Sequence, residues 1–230
     1  MNKFRFIRSH IRSYIGYSHL GYLLFKFLKP EICITKSTRL VIEGYPRSAN
    51  TFAYCAFKFV NPNVKIAHHL HLPFQIIQAV KLNIPAIVLI REPKDAIISR
   101  MIRNPYLSNK SYIIEYIKFY KALLKHKDKI VVARFADIIN NFPTIIEKTN
   151  KKFKTDFNIF EQSNENIKKI FHEIENLDKM DNKSDLVNKL TVSLPKDKEE
   201  YKREKEAILK DVKLLQHIRT AQEIYLSFIK

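Results

Sequence analysis

The sequence contains few cysteines: among its 230 residues there are two, Cys33 and Cys55. Two cysteines give neither a disulfide framework nor a cysteine metal cluster, so the cytoplasm is the expected compartment. Cys55 follows the first loop discussed below and is expected to be a small buried hydrophobic residue on a helix.

Long apolar stretches are also missing, since no uncharged apolar run reaches the roughly 18 residues that a membrane span requires. The chain has no apolar segment followed by small residues at a cleavage site, so a secretory signal is not expected. Residues 1–29 mix aromatic and aliphatic side chains with Arg5, Arg8, Arg12 and Lys26. We expect a helix that covers the sheet, with peripheral contact to a membrane surface through a basic amphipathic helix as the alternative.

Acidic residues are scarce relative to basic ones: 23 Asp and Glu stand against 41 Lys and Arg, for a formal net charge of +18. Such a field attracts anions, among them nucleotides, nucleic acids, acidic glycans and anionic lipid surfaces. Much of the excess is expected to be a solvated, lysine-rich surface. Apolar residues make up 46% of the chain, which is enough for a sizeable core.

The chain is organised around residues 41–52, Val-Ile-Glu-Gly-Tyr-Pro-Arg-Ser-Ala-Asn-Thr-Phe. Residues 40–42 read as a buried strand, Gly44 and Pro46 mark a turn, and apolar residues from Phe52 onward recur with the helical period. A strand, a tight loop and a helix N-terminus point backbone N–H groups at one place, which suits a phosphate. Arg47 adds a cation that can make two contacts.

This loop is not the phosphate-binding loop of nucleoside triphosphatases, because the chain has no Gly-Lys-[Ser/Thr]. Taken alone, the loop would equally suit an ordinary turn with a solvated arginine.

The wider pattern predicts an α/β fold: a P-loop-like, doubly wound parallel sheet flanked by helices in a single 1–230 domain. Further strands are expected at 64–68, 84–90 and 130–134, with helices opening at Pro73, Pro93 and Pro143 and another over 112–125. The α/β core covers residues 35–140, and 151–230 form a mostly helical part. That part contains an expected mobile loop at 178–189 and helices at 197–210 and 214–225.

A second strand-turn-helix unit carries Arg91, Pro93, Asp95 and Ser99. Because parallel strands end at one edge of a sheet, Arg91, the loop at Arg47 and the histidines after the second strand are expected to converge there.

These two motifs resemble those of the sulfotransferases that use 3′-phosphoadenosine 5′-phosphosulfate as sulfuryl donor. Tyr45 to Phe52 matches [Y/x]-P-[K/R]-S-G-[T/N]-T-[W/F] except at Ala49, and residues 91–99 match R-x-P-x-D-x-x-x-S throughout. The resemblance covers roughly residues 38–140. It implies transfer of a sulfuryl group to an acceptor hydroxyl or amine without a metal, with 3′-phosphoadenosine 5′-phosphate (PAP) as product.

The resemblance also implies roles for individual residues. Arg91 and Ser99 would hold the 3′-phosphate, and Arg47 would also stabilise the departing phosphate as a catalytic residue. The 5′-phosphosulfate would be cradled by Arg47, Ser48, the backbone of Ala49, Asn50, Thr51 and Phe52. If the position of Ala49 requires a positive φ, alanine costs about 1 kcal/mol there relative to glycine. Further cofactor contacts near the C-terminus have only Lys196, Lys202 and Arg203 as candidates.

The family's base is commonly a histidine after the second strand, where this chain has His68, His69 and His71. One alignment favours His69 and another favours His71, with His69 slightly ahead; an imidazole that titrates near neutrality suits the role. Strand alternation would place His68 and His69 on opposite faces. A zinc site is the alternative for this cluster, although no further ligand motif completes it.

Two other classes of function stay open. One is a module that binds nucleic acid or an anionic surface, which the charge suggests but no recognised nucleic-acid motif supports. The other is a nucleotide kinase of related fold. For a sulfotransferase, the basic surface favours a glycan or another large acidic acceptor, and no specific nucleic-acid partner is expected.

Overall fold

The computed structural model describes residues 18–181 and 198–230. The strands are β1 (Leu40–Gly44), β2 (Ile66–His68), β3 (Ala86–Ile90) and β4 (Val131–Arg134). Short 3₁₀ helices occupy Pro30–Ile32 and Leu124–Lys129. The α-helices are α1 (His19–Leu28), α2 (Asn50–Val60), α3 (Pro73–Lys81), α4 (Pro93–Arg103), α5 (Asn109–Lys121), α6 (Phe135–Asn140), α7 (Phe142–Phe153), α8 (Asn164–Asp181), α9 (Lys198–Leu209) and α10 (Val212–Ile229).

The four strands form one parallel sheet in the order β2-β1-β3-β4. In register, Ile42 of β1 lies between His68 of β2 and Ile87 of β3. Every residue of β1 and β3 is buried, because helices cover both faces of a parallel sheet.

Alternate strand residues supply the two halves of the core. Val41, Val88 and Ile90 pack with α3, α4, α5 and α10 on one face. Ile42 and Leu89 pack on the other face with α2, α7 and α8. This confirms an α/β arrangement flanked by helices, with a helical C-terminal part.

The chain reverses its winding direction between β1 and β3, since β2 lies on one side of β1 and β3 on the other. Ligands of such sheets bind in the crevice beyond the carboxyl ends of the strands at this point. Gly44 ends β1 there, and a Cβ built on it would lie 2.4 Å from the carbonyl oxygen of Leu89. Only glycine allows the two strands to run this closely where the first loop departs.

Most predicted elements are present, with shifted ends. The helix expected at 112–125 is instead α5 followed by a 3₁₀ helix, because Ser108 caps α5 through the Ser111 N–H and starts it earlier. Helix α7 begins one residue before Pro143. Residues 178–181 continue α8 rather than forming a loop, and 182–189 lie outside the described residues.

Of the basic segment at 1–29, the described part is α1, which packs beside the residues that follow β2. Tyr22 forms a small cluster there with Cys33, Leu70 and Leu72. Within residues 18–181 and 198–230, no helix is both long and apolar enough to cross a membrane.

Candidate functional site

The loop between β1 and α2 has an unusual backbone. Arg47 (φ 72°) and Ala49 (φ 65°, ψ 28°) are both left-handed. Left-handed residues in such loops allow successive N–H groups to converge on an anion. Ala49 is the N-cap of α2 and provides no side-chain acceptor, so the first-turn N–H groups of α2 lack a side-chain cap. The loop and the helix start together have the backbone chemistry of an anion site.

Ala49 has the positive φ that would make an alanine unfavourable at this position. A left-handed conformation costs a residue with a Cβ about 1–2 kcal/mol, and glycine avoids that cost. The chain therefore holds a strained loop at the position where the motif it resembles has glycine.

The two motifs meet in the structure. Arg47 Nε donates to Ser99 Oγ at 2.9 Å, although the residues are 52 positions apart. Arg91 donates from its Nη1 to the carbonyl oxygen of Arg47 at 3.1 Å, and its guanidinium lies 4.1 Å from the ring centre of Phe135. Arg91 of the second motif thus supports the backbone of the first loop. The sequence of the second motif did not indicate this contact.

Several guanidinium groups share this region. Burial, followed by the nearby charge of Arg103, lowers the pKa of Arg47 to about 9. Arg91 and Arg100 contribute to this lowering, while Tyr201 of α9 acts in the opposite direction. Burial also lowers the pKa of Arg91. A buried arginine whose pKa is lowered by neighbouring guanidinium groups is a ready counterpart for a ligand with several negative charges.

Two tyrosines of α5 form hydrogen bonds with the backbone where the two motifs leave β1 and β3. Tyr120 donates to the Leu89 carbonyl oxygen at 2.7 Å and accepts from the Tyr45 N–H at 3.2 Å. Tyr116 donates to the Arg91 carbonyl oxygen at 2.8 Å. Burial raises the pKa of both phenols well above the ordinary value, so they remain neutral donors. These contacts set the directions in which the two motifs leave their strands.

His68 is the last residue of β2, whereas His69 and His71 lie in the turn that follows it, residues 69–71, where both have φ 55°. Residues 69–71 are called the histidine turn below. His68 Nδ1 and His69 Nδ1 are 2.6 Å apart, and His69 Nε2 lies 3.2 Å from Thr51 Oγ1. The expectation that alternation would separate His68 from His69 is therefore wrong.

The acidity of these imidazoles also differs from expectation. Burial lowers the pKa of His68 to about 3, helped by His69, and it lowers the pKa of His69 to about 4, helped by Arg103. Neither imidazole titrates near neutrality. At pH 7 both are neutral, and both ring nitrogens of His69 have a hydrogen-bonding neighbour.

His71 has a different environment. Its Nδ1 lies 2.8 Å from the carbonyl oxygen of Gly44, which can only accept, so Nδ1 carries the proton. In the neutral ring the lone pair is then on Nε2. The carboxylate of Glu43 is 3.8 Å from Nδ1, where it would stabilise a protonated imidazole. This arrangement favours His71 over His69 as a proton acceptor, the reverse of the order given by sequence alignment.

Glu43 is the main residue that sequence reasoning missed. It is wholly buried on β1. Its carboxylate accepts from the N–H of Leu70 (2.7 Å), the N–H of His71 (2.9 Å) and Gln75 Nε2 (2.9 Å). Three charge-assisted hydrogen bonds hold the histidine turn against β1. A charged residue inside a buried strand is the signal that could have revealed it.

Two further arginines of the site were also missed. Ser99 and Arg103 are four residues apart on α4, and therefore lie on one helical face, while Arg100 is adjacent. The pKa effects of Arg103 on both Arg47 and His69 place it near the loop and the histidine turn.

Of the C-terminal candidates, those within the described residues show no contact with the site. Lys202 and Arg203 are exposed on α9, and Lys196 lies outside the described residues. Lys205 instead donates to Asp95 Oδ1 at 2.7 Å and ties α9 to the second motif.

The zinc interpretation gains no support. Within the described ranges, no group of three or more His, Cys, Asp or Glu side chains is placed to hold a metal ion.

No protein-family model matches the sequence, and a search of curated proteins finds no match. Function therefore has to be inferred from the geometry of the site and the motifs that build it.

Proposed function

We propose that this chain is a sulfotransferase with a P-loop-like fold. It takes a sulfuryl group from 3′-phosphoadenosine 5′-phosphosulfate and transfers it to an acceptor hydroxyl or amine. The observation that carries the proposal is the 2.9 Å contact between Arg47 and Ser99, because it joins both sulfotransferase-like motifs in one cationic site.

The donor has two anionic ends that the site would hold separately. The left-handed loop, the first turn of α2 and Arg47 suit the 5′-phosphosulfate. The N-terminus of α4 is already capped, since Glu92 accepts from the Asp95 N–H at 3.0 Å. A 3′-phosphate would therefore depend on the side chains of Arg91 and Ser99.

In the reaction, the acceptor oxygen or nitrogen forms a bond to sulfur as the bond from sulfur to the bridging phosphate oxygen breaks. The acceptor proton passes to a base, and negative charge appears on the leaving 5′-phosphate of PAP. By analogy with phosphoryl transfer, catalysis comes mainly from positioning and charge stabilisation. Arg47 would stabilise the leaving phosphate, and His71 Nε2 would take the proton.

The acceptor is proposed to be a glycan or another large acidic molecule, because the chain carries a formal net charge of +18.

Calorimetric titration tests the donor assignment. PAP should bind more tightly than adenosine 5′-phosphate or ATP, and an Arg203→Ala variant on the exposed face of α9 should bind PAP as the wild type does. Preference for ATP would instead indicate a kinase, and salt-sensitive duplex binding without PAP affinity would indicate a nucleic-acid module. Transfer of labelled sulfate from the donor to a panel of acceptors then tests the reaction.

A further inference from the structure

Helix α1 presents its apolar side to the solvent. Leu20 and Phe27 are 77% and 84% exposed, and Leu28 is 59% exposed. With Leu23 and Leu24, also exposed, they occupy positions i, i+3, i+4, i+7 and i+8, which form one stripe along a helix. At about 100° per residue this stripe covers roughly 140° of the helix circumference. In an ordinary surface helix such a stripe faces the core.

The core-facing side of α1 is already used. Gly21 and Tyr22 are buried, and Tyr22 packs with Cys33, Leu70 and Leu72. Ser18 caps the helix by accepting from the Gly21 N–H at 3.0 Å. The stripe therefore faces outward on a helix that is fixed from its other side.

No comparable patch occurs elsewhere in the described ranges. Other exposed large apolar residues are distributed over several elements, with no more than two on any one of them. Single exposed apolar residues are ordinary, whereas a contiguous apolar stripe indicates a surface that is covered by something else.

Charge indicates what covers it. The first 30 residues contain no Asp or Glu, and Lys26 is exposed beside the stripe. The basic residues among the first 30 are Lys3, Arg5, Arg8, Arg12, Lys26 and Lys29. A second copy of the chain docked on the stripe would bring two α1 helices together, each with Lys26 and without an acidic residue, and these charges would repel. An apolar stripe with an exposed lysine beside it instead fits the boundary between anionic lipid headgroups and acyl chains.

We propose that α1 docks this protein on an anionic lipid surface. The stripe of Leu20, Leu23, Leu24, Phe27 and Leu28 enters the boundary region, and Lys26 lies at the level of the lipid phosphates. This proposal is independent of sulfuryl transfer, since a vesicle experiment reads binding alone.

Sedimentation with vesicles gives the first test. The full chain should bind vesicles that contain phosphatidylglycerol and bind phosphatidylcholine vesicles far more weakly. Leu20→Ser with Phe27→Ser should reduce binding about tenfold or more, because two large apolar groups no longer leave water. The matched control, Leu82→Ser with Ile159→Ser, removes two other exposed large apolar side chains outside α1 and should change nothing. Equal binding by both double variants, or no binding by the wild type, would overturn the proposal.

Fluorescence gives the second test, because the chain contains no tryptophan. A Phe27→Trp variant should shift its emission to shorter wavelength and resist acrylamide quenching only when anionic vesicles are added. A Leu82→Trp variant should show neither change. If the tryptophan of the Phe27→Trp variant is protected without vesicles, the chain itself covers the stripe, or a second copy does where protection depends on protein concentration. Either result would overturn lipid docking.

Discussion

Replacing Ala49 by glycine should stabilise the protein, although the change removes a methyl group. At φ 65° and ψ 28°, alanine carries about 1–2 kcal/mol of left-handed strain that glycine does not. Glycine is also the better N-cap. Against this, glycine gives the unfolded chain more freedom, which costs about 0.4–1 kcal/mol. We expect a net gain of about 0.5–1 kcal/mol, or about 1–4 °C in melting temperature for a domain of this size.

Urea unfolding followed by circular dichroism measures this effect. In the matched control, Ala53→Gly lies on the same helix but in helical conformation, and it should lose about 1 kcal/mol or more. Lys154→Gly, at another left-handed position (φ 54°), should gain stability as Ala49→Gly does. A loss of 1 kcal/mol or more in Ala49→Gly would refute the strain argument. PAP affinity should stay the same or rise, and a tenfold fall would show that the methyl group supports binding.

Four further predictions concern the site. Arg91→Ala should weaken PAP binding by about 2–5 kcal/mol and weaken adenosine 5′-phosphate binding clearly less, and equal losses for both would show that Arg91 acts only by bracing the loop. Because the pKa of Arg47 is about 9 and a bound anion raises it, PAP affinity should be full below pH 9 and fall as pH rises through 9; a titration that is flat from pH 8 to 10.5 contradicts this. Glu43→Gln should cost about 1–3 kcal/mol in urea unfolding, since an amide cannot accept all three hydrogen bonds, and an unchanged midpoint would mean that the turn is held otherwise. His71→Ala should lower turnover by about 10²–10⁴-fold with PAP affinity intact, and an equal loss in His69→Ala but not in His71→Ala would restore the sequence-based order.

The central strands could be predicted because the pattern that indicates them lies within each strand's own residues. A parallel strand buried on both faces needs a continuous apolar run, and 84–90 is such a run. The sequence predicts that strand β1 ends at 42, because the apolar run ends there and Gly44 and Pro46 mark a turn. It continues to Gly44 because the carboxylate of Glu43 finds three donors that follow β2, far away in sequence.

The histidine turn could not be predicted from local pattern, since its geometry depends on that same distant carboxylate. Glu43 takes the N–H groups of Leu70 and His71, which therefore do not continue the strand. Likewise, no residue near Tyr45 indicates the role of Tyr120, 75 positions later. Its hydroxyl accepts from the Tyr45 N–H and donates to the Leu89 carbonyl oxygen. The motifs identified the cationic residues, whereas the supports of those residues are set by packing between elements.

The structure shows positive charge in two different environments, which the sequence alone did not distinguish. Arg47 and Arg91 are largely withdrawn from water at the sheet edge, while Lys26 is exposed beside an apolar stripe. The two environments are connected, because Leu70 and Leu72, which flank His71, pack on the inner side of α1. If α1 lies on a membrane, the histidine turn is about one helix diameter, or about 10 Å, from the lipid headgroups. An acceptor hydroxyl carried by a membrane-bound glycan could then reach the proposed base without leaving the surface, so lipid docking would favour that acceptor class over a free polysaccharide.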